Sequence, residues 1–225
     1  MVVVCGFLQT NTSDQIPLYN GSATNGTEGD LSTDPALTVS AMNVGDYKPG
    51  ATITHGLVVA NTNSAGYCYL LRQGQIQTII PIGVAGIHND VQPLAKPVTL
   101  MPGDTVRFMP SAAASRLSVL SVYTSSGTCR IFKGTPSGAA TTDLVDLQTG
   151  NSIGSTLQGM TITMASFNSV DGGKIISQGG AQILDASGRL VSSIHATSVQ
   201  SAQLQMSTCR APIQLNYKAQ VVTNA

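Results

Sequence analysis

Glutamate is almost missing from this 225-residue chain, and its scarcity bears on the fold class. Ten of the eleven acidic residues are Asp, and Glu28 is the only Glu. Glu is a good helix former, whereas Asp hydrogen-bonds to nearby backbone and favours caps and turns. A helical protein of this length would carry about a dozen glutamates on its solvated faces. The composition therefore predicts a chain that is mostly β.

Charge and aromatic side chains are also scarce. Only 10% of the residues are charged, the eleven basic residues balance the eleven acidic ones, and there is no Trp. Without a net charge or a basic cluster, the chain has no field that would attract nucleic acid. With 4% aromatic residues it has few rings on which bases or sugars could stack. We expect no nucleic-acid partner; the polarity comes instead from Ser and Thr, about a fifth of the chain.

Long apolar runs are missing as well. A transmembrane helix needs about 20 consecutive apolar residues, and the longest candidate, 76–87, is interrupted by Gln77, Pro81 and Gly83. The start, MVVVCGFLQT, has no basic residue before its apolar run, and that run is too short for a signal peptide. We expect synthesis in the cytoplasm and no membrane partner.

Strand patterns separated by turn residues fill most of the chain. Segments 67–72 and 75–82 flank Gly74 as a hairpin would, and 98–100 and 105–109 flank Pro102-Gly103, a type II turn pair. Segment 117–123 is apolar on both faces, as in a central strand, and 213–221 alternates as a half-buried strand does. Only 139–148 and 197–205 leave room for a helical turn, and no firm internal repeat is identified. The predicted fold is an antiparallel all-β sandwich or barrel, in one or two lobes.

The predicted domain organisation has three parts. Residues 1–35 form an N-terminal strand and an extended arm, because 9–35 is crowded with Asn, Gly, Ser, Thr and Asp. Only Ile16, Leu18, Tyr19 and Leu31 could anchor that arm. Residues 36–124 form a β domain, and 125–225 form a second β lobe or continue the same domain.

Residues that could carry chemistry are few and scattered. The three histidines stand apart: His55, His88 and His195. His88 and Asp90 share a polar loop and are the best metal candidate, although a loop turn explains them equally well. Asp143 and Asp146 are the closest acid pair outside the arm, but their apolar neighbours indicate the exposed side of a strand or turn. We therefore predict no enzyme and no catalytic, cofactor-binding or metal-binding residue.

The four cysteines are widely spaced and contain no CxxC pair: Cys5, Cys68, Cys129 and Cys209. This spacing fits neither a zinc ribbon nor a dense disulfide framework. Two interpretations stay open. The thiols are buried and free, or one bridge forms, for which Cys129 and Cys209 are the favoured pair.

Four features together resemble the structural proteins of virus particles. They are the start, for which no signal peptide is predicted, the arm at 9–35, the PGD-turned hairpin VTLMPGDTVRF at 98–108 and the closing strand APIQLNYKAQVV at 211–222. In composition and layout the chain is similar to the decoration (cement) proteins on the heads of tailed phages. The resemblance implies a virion protein that binds the outer face of the major capsid protein, often as a homotrimer, and stabilises the shell. It carries over no catalytic residue.

Other functional classes fit the same composition. A receptor-binding adhesin or tail-fibre-type protein would share the hydroxyl-rich β surface, and so would a jelly-roll shell subunit. A hydrolase on a β scaffold is the enzymatic alternative. The oligomeric state and the molecules that co-purify with the chain would separate these possibilities.

Overall fold

A computed structural model describes residues 2–33, 42–61, 66–83, 90–110, 117–136, 141–171, 174–175, 179–196 and 212–223. Strands dominate these residues, and each of the two helices has four residues. None of the described helices is long and apolar enough to cross a membrane. The predicted all-β class with antiparallel sheets is confirmed. The chain divides into two units, Met1–Ala112 (unit 1) and Ala113–Ala225 (unit 2).

Unit 1 contains two sheets in its described residues. Its elements are β1 (Val2–Thr10), β2 (Gln15–Ala23), β3 (Gly29–Leu31), α1 (Val44–Tyr47), β4 (Thr52–Ala60), β5 (Gly66–Arg72), β6 (Gln75–Ile79), β7 (Ile82–Gly83), β8 (Gln92–Thr99) and β9 (Thr105–Pro110). One sheet has the order β2-β1-β4-β7, with β8 also pairing with β4, and the other has the order β3-β9-β5-β6. Both sheets contribute to one core, which includes Leu8 and Ile53 from the first and Leu70 and Phe108 from the second.

Unit 2 contains one eight-stranded sheet in its described residues. Its elements are β10 (Leu117–Thr124), β11 (Cys129–Gly134), β12 (Thr141–Asp146), α2 (Ile153–Thr156), β13 (Ile162–Asp171), β14 (Lys174–Ile175), β15 (Gly179–Leu184), β16 (Leu190–Ala196) and β17 (Lys218–Thr223). The strand order is β14-β13-β10-β11-β12-β17-β15-β16. Its core includes Leu120, Phe132, Ile153, Ile183 and Val221.

The predicted extended arm is wrong for the described part of 9–35. Strands β1 and β2 pair over their length, and β1 also pairs with β4 inside the sheet. Ile16 and Leu18 lie in the core of unit 1, and Leu31 joins them from β3. Many of the polar residues that suggested an arm lie in two tight turns, at 11–14 and 24–28, and others lie in β2 and β3. Two apolar side chains at alternating positions, Ile16 and Leu18, are enough to anchor β2 when a partner strand supplies the hydrogen bonds.

The boundary between the units lies before β10, not at 124/125. The central strand predicted at 117–123 is present, but it pairs with β11 and β13 and so belongs to unit 2. The turn around Gly103 is also present, with Asp104 N–H donating to Met101 O at 3.0 Å. The flanking strands do not pair with each other as a hairpin, because β8 pairs with β4 and β9 pairs with β3 and β5. The turn instead carries the chain from one sheet of unit 1 to the other.

Two other predicted elements differ from the structure. Residues 139–148 were expected to leave room for a helical turn, but β12 occupies 141–146. The strand predicted at 213–221 begins only at Lys218, and residues 215–216 lie in a turn. Ile213 is buried as the alternation predicts, whereas Leu215 is 51% exposed. Segment 37–43, where Leu37, Val39 and Ala41 alternate with other residues as in a strand, lies mostly outside the described residues, and segment 197–205 lies wholly outside them.

The two units repeat the same local structure, which was not recognised from the sequence. In unit 1 the turn after β1 is closed by Thr10 N–H, which donates to Asp14 O at 2.9 Å. In unit 2 the turn after β10 is closed by Thr124 N–H, which donates to Thr128 O at 3.0 Å. Each threonine Oγ1 also accepts the N–H of the residue four positions on, at 3.1 Å in both turns.

The short helices repeat as well. Gly45 N–H in α1 donates to Asp104 O, and Gly154 N–H in α2 donates to Tyr217 O, both at 3.1 Å. A Cβ atom at either glycine would lie 1.9 or 2.2 Å from a backbone oxygen of the turn against which the helix packs. We call these two places the helix–turn corners: α1 with turn 101–104 in unit 1, and α2 with turn 214–217 in unit 2.

A matching sequence accompanies the repeated structure. NVGDYKPGATIT at 43–54 and SIGSTLQGMTIT at 152–163 share both glycines and the closing Thr-Ile-Thr. Ile53 and Ile162 take equivalent places: Ile53 pairs with Thr10 at the end of β1, and Ile162 pairs with Thr124 at the end of β10. The sequence pattern alone identified no firm repeat, and the structure identifies this one.

Candidate functional site

The metal site considered at His88 and Asp90 stays a prediction. His88 lies outside the described residues, and Asp90 contributes its backbone oxygen to Gln92 Nε2 at 3.2 Å. His55 is half-buried in β4, where its Nδ1 lies 2.9 Å from Thr54 Oγ1. Among the described His, Cys, Asp and Glu side chains, no group of three or more is placed to hold a metal ion.

The bridge between Cys129 and Cys209 stays a prediction. Cys129 is buried, and Cys209 lies outside the described residues. Cys68 is a free thiol within the core of unit 1, and burial raises its pKa well above the ordinary value. A protonated, buried thiol is a weak nucleophile. Cys5, in β1, is free and exposed.

Asp143 and Asp146 do not form a carboxylate pair. They are three residues apart in β12, so their side chains leave opposite faces of the strand. Asp143 is exposed and accepts a hydrogen bond from Gln220 Nε2 at 2.6 Å. Asp146 is buried, contrary to the prediction, because its Oδ1 accepts the N–H and the Oγ–H of Thr149 at 2.8 and 2.9 Å and so closes the turn after β12.

The most buried of the described ion pairs braces the unit 1 corner. The Asp104 carboxylate has no exposed surface. Arg72 donates two parallel hydrogen bonds to it, from Nε to Oδ1 at 2.8 Å and from Nη2 to Oδ2 at 2.7 Å. Met101 N–H donates to the same carboxylate at 2.9 Å. A bidentate, charge-assisted pair of this kind fixes geometry as well as charge. It holds the Met101–Asp104 turn against β5.

Glu28 is at the centre of a polar cluster in which two tyrosines donate to one carboxylate. Tyr67 and Tyr69 donate their hydroxyl protons to its two carboxylate oxygens, at 2.8 and 3.2 Å. Their rings stack with centroids 6.1 Å apart. Arg107 Nη1 lies 3.8 Å from Glu28 Oε2, and Arg107 Nε donates to Asp30 Oδ1 at 3.0 Å. We call these five residues the Glu28 cluster.

The strands explain why these side chains meet. Asp30, Arg107 and Tyr69 lie opposite one another on β3, β9 and β5, so their side chains share one face of the small sheet. Tyr67 is two residues from Tyr69 and lies on that face too. Glu28 comes immediately before β3, from a loop fastened to β9 by Gly26 N–H, which donates to Pro110 O at 2.6 Å.

Burial and charge make the two phenols poor acids. Desolvation, followed by the hydrogen bond and the charge of Glu28, raises the pKa of Tyr67 far above its ordinary value. Desolvation and the charge of Glu28 raise the pKa of Tyr69 to about 12, although the charge and hydrogen bonding of Arg107 lower it. Both phenols therefore act as hydrogen-bond donors at neutral pH and not as bases or nucleophiles. The chemistry of the cluster is that of a brace, which ties a loop and three strands together.

Unit 2 carries a simpler version at the equivalent register. Asp143, Gln220 and Gln182 lie opposite one another on β12, β17 and β15. Gln182 Nε2 donates to Gln220 Oε1 at 3.4 Å, and Lys218 Nζ lies 3.8 Å from Asp143 Oδ2. Asp143 matches Asp30 of unit 1, whereas Gln220 and Gln182 stand at the positions that Arg107 and Tyr69 occupy in unit 1.

Sequence reasoning missed both the Glu28 cluster and the Arg72–Asp104 pair. The alternation of Tyr67 and Tyr69 in a predicted strand was the one signal for the cluster, because residues two apart share a face. Nothing local connects them to Glu28 or Arg107. Comparison with known proteins adds no further assignment: no protein-family model, curated protein or solved structure matches the chain.

Proposed function

We propose that the chain is a structural protein of a virus particle, of the decoration type, which binds the outer face of the major capsid protein and stabilises the shell. The observation that carries the proposal is how the chain uses its charged side chains. Three of the described acidic side chains that are buried or half-buried serve as internal braces: Asp104 with Arg72, Glu28 with two tyrosines, and Asp146 with its own turn.

The remaining exposed surface suits assembly contacts. In unit 2, the described strand face around Gln220 offers the amides of Gln182 and Gln220 beside one ion pair, Asp143 with Lys218. The large hydrophobic side chains that are exposed in the described part of unit 2 are Val145, Leu190 and Leu215. Contacts of this chemistry gain from burial and hydrogen bonding, which depend little on charge. A shell-binding protein that makes many such contacts needs a rigid scaffold more than a pocket, and internal braces supply rigidity.

Co-purification with particles tests this proposal. Particles from the source culture are separated on a density gradient, and each fraction is probed with an antibody against the chain. We expect the chain to migrate with the major coat protein and to be released as a homotrimer of about 70 kDa, three times the 23.2 kDa chain mass. Recovery only in the soluble fractions, with no signal in the particle band, would contradict the proposal.

A further inference from the structure

The face of strands β2, β1 and β4 that points away from the core of unit 1 is apolar. Six side chains form two rows across these strands: Tyr19, Cys5 and Val59 in one row, and Pro17, Phe7 and Leu57 in the other. None of the six belongs to the core, to which the alternating residues of the same strands, such as Val4 and Leu18, contribute. We call these six residues the outer face of unit 1.

Solvent reaches most of this outer face. Cys5 is exposed, and the side chains beside it and in the next row are half-buried, except for the buried Leu57. An antiparallel sheet that meets water on one face normally places polar residues there. Aromatic side chains such as Phe7 and Tyr19 are instead typical of the centre of protein–protein interfaces. The outer face therefore has the composition of a contact surface.

The same three strands carry no charge. Val2–Thr10, Gln15–Ala23 and Thr52–Ala60 contain no Asp, Glu, Lys or Arg. Near a symmetry axis a residue meets its own copies, so that a charged residue would face a like charge. A surface that binds a different protein can carry charges, because the partner supplies opposite ones. The uncharged outer face therefore favours further copies of this chain as the partner.

The corresponding face is buried in unit 2. Counted from the threonines that close the equivalent turns, Val119 stands where unit 1 has Cys5. On the next strand, Ile131 stands where unit 1 has Pro17. Val119 and Ile131 are 3% and 0% exposed, although neither belongs to the core of unit 2. The fold thus covers this face in unit 2, and unit 1 is the one that keeps it available.

We infer that the outer face of unit 1 is the surface through which copies of this chain associate around a symmetry axis. Sheets that pack face to face lie about 10 Å apart, so the two rows of side chains would interdigitate with those of a neighbouring copy. The inference goes beyond the proposed function, because it concerns the contact between copies of the chain and not the contact with a shell.

The test changes the charge at Cys5, which lies on the central strand of the outer face, in the full-length chain. Cys5→Lys and Cys5→Glu place like charges on every copy, and Cys5→Ser removes the thiol without adding a charge. Leu190→Lys is the matched control, because Leu190 is 60% exposed but lies in β16 of unit 2. Circular dichroism and thermal unfolding establish that each variant is folded, and light scattering after size-exclusion chromatography gives its mass.

We expect wild type, Cys5→Ser and Leu190→Lys to share one mass, a multiple of the 23.2 kDa chain mass. Cys5→Lys and Cys5→Glu should each fall to the mass of a single chain, because like charges repel across the axis. An equimolar mixture of these two variants should regain a larger mass, because each charge then meets its opposite.

A wild-type chain that stays at 23.2 kDa over a concentration series would overturn the inference, and so would Cys5→Lys with the mass of Leu190→Lys. A mixture of folded Cys5→Lys and Cys5→Glu chains that stays at the mass of a single chain would show that the copies do not meet at this face. Particle fractionation decides the proposed function separately. A chain that self-associates but never enters the particle band refutes that function and leaves this inference in place.

Discussion

Replacing Asp104 with asparagine should destabilise unit 1 severely, because it breaks a buried ion pair with almost no change in shape. The carboxylate has no exposed surface and accepts three hydrogen bonds, two from Arg72 and one from Met101 N–H. Asparagine has the same size, but it carries no charge and offers one acceptor oxygen where the carboxylate has two. Arg72 would keep a guanidinium group in a site that no longer neutralises it.

The magnitude follows from how well Arg72 can reach water. Removing one partner of a buried pair costs about 3–5 kcal/mol when the other charge stays uncompensated. The Arg72 side chain is 21% exposed, so partial rehydration places the loss near the lower end, at about 3 kcal/mol. For a unit of this size, such a loss lowers the unfolding midpoint by more than about 10 °C. Substitution of Arg72 by methionine should cost at least as much, since the carboxylate left behind has no path to solvent.

Urea and thermal unfolding, followed by far-ultraviolet circular dichroism and tyrosine fluorescence, measure the effect. Asp46→Asn is the matched control: it is the same substitution at an exposed position beside the same turn, and asparagine can still accept the Gly103 N–H. We expect Asp46→Asn to unfold close to wild type. If Asp104→Asn and Asp46→Asn unfold at the same midpoint, the buried pair contributes nothing and the reasoning is wrong.

Three further predictions concern the repeated glycines, the phenols and salt. Gly45→Ala and Gly154→Ala should each cost about 3 kcal/mol or more, because the new methyl group meets backbone and not a flexible side chain; midpoints within 2 °C of wild type in thermal unfolding would contradict this. Stability should fall as pH rises above about 10, where phenols ionise in the unfolded chain, while Tyr69 stays protonated in the folded chain until its pKa of about 12. Glu28→Gln should lower the pKa of Tyr69 in an ultraviolet titration, and an unchanged titration would rule out the carboxylate as a cause. Particle binding should persist from about 0.05 to 1 M NaCl, because the chain has no net charge; release by moderate salt, read by gel after washing, would reveal an ionic interface.

Composition by itself determined the fold class. A chain with one glutamate, many hydroxyl residues and turn signals at short intervals cannot supply the solvated faces of helices, and strands are what remains. The central strand at 117–123 and the hairpin around Gly74 were predictable for the same reason, since alternation and turn chemistry are local properties.

Local composition misled where pairing partners decide the structure. Segment 9–35 looks like an arm because its polar residues outnumber its apolar ones, yet β2 is stabilised by its pairing with β1, and through β1 it becomes part of the larger sheet. The alternation at 213–221 continues through Leu215, but Gly154 docks on the backbone there and holds it in a turn. A tertiary contact of one glycine overrides the alternating pattern before Lys218, where β17 begins.

The repeat shows most clearly what each level of description contributes. The two glycines and the Thr-Ile-Thr of 43–54 and 152–163 were present in the sequence, but so short a match stands out only when the structure aligns it. Hydrogen bonds from equivalent glycines to equivalent turns make the correspondence plain, although the turn residues themselves, Asp104 and Tyr217, differ. Backbone geometry persists through such substitutions because nearly every residue has the same N–H and C=O groups. Side-chain partners differ in this respect: Arg72 and Asp104, or Glu28 and its tyrosines, are brought together only by the folded chain.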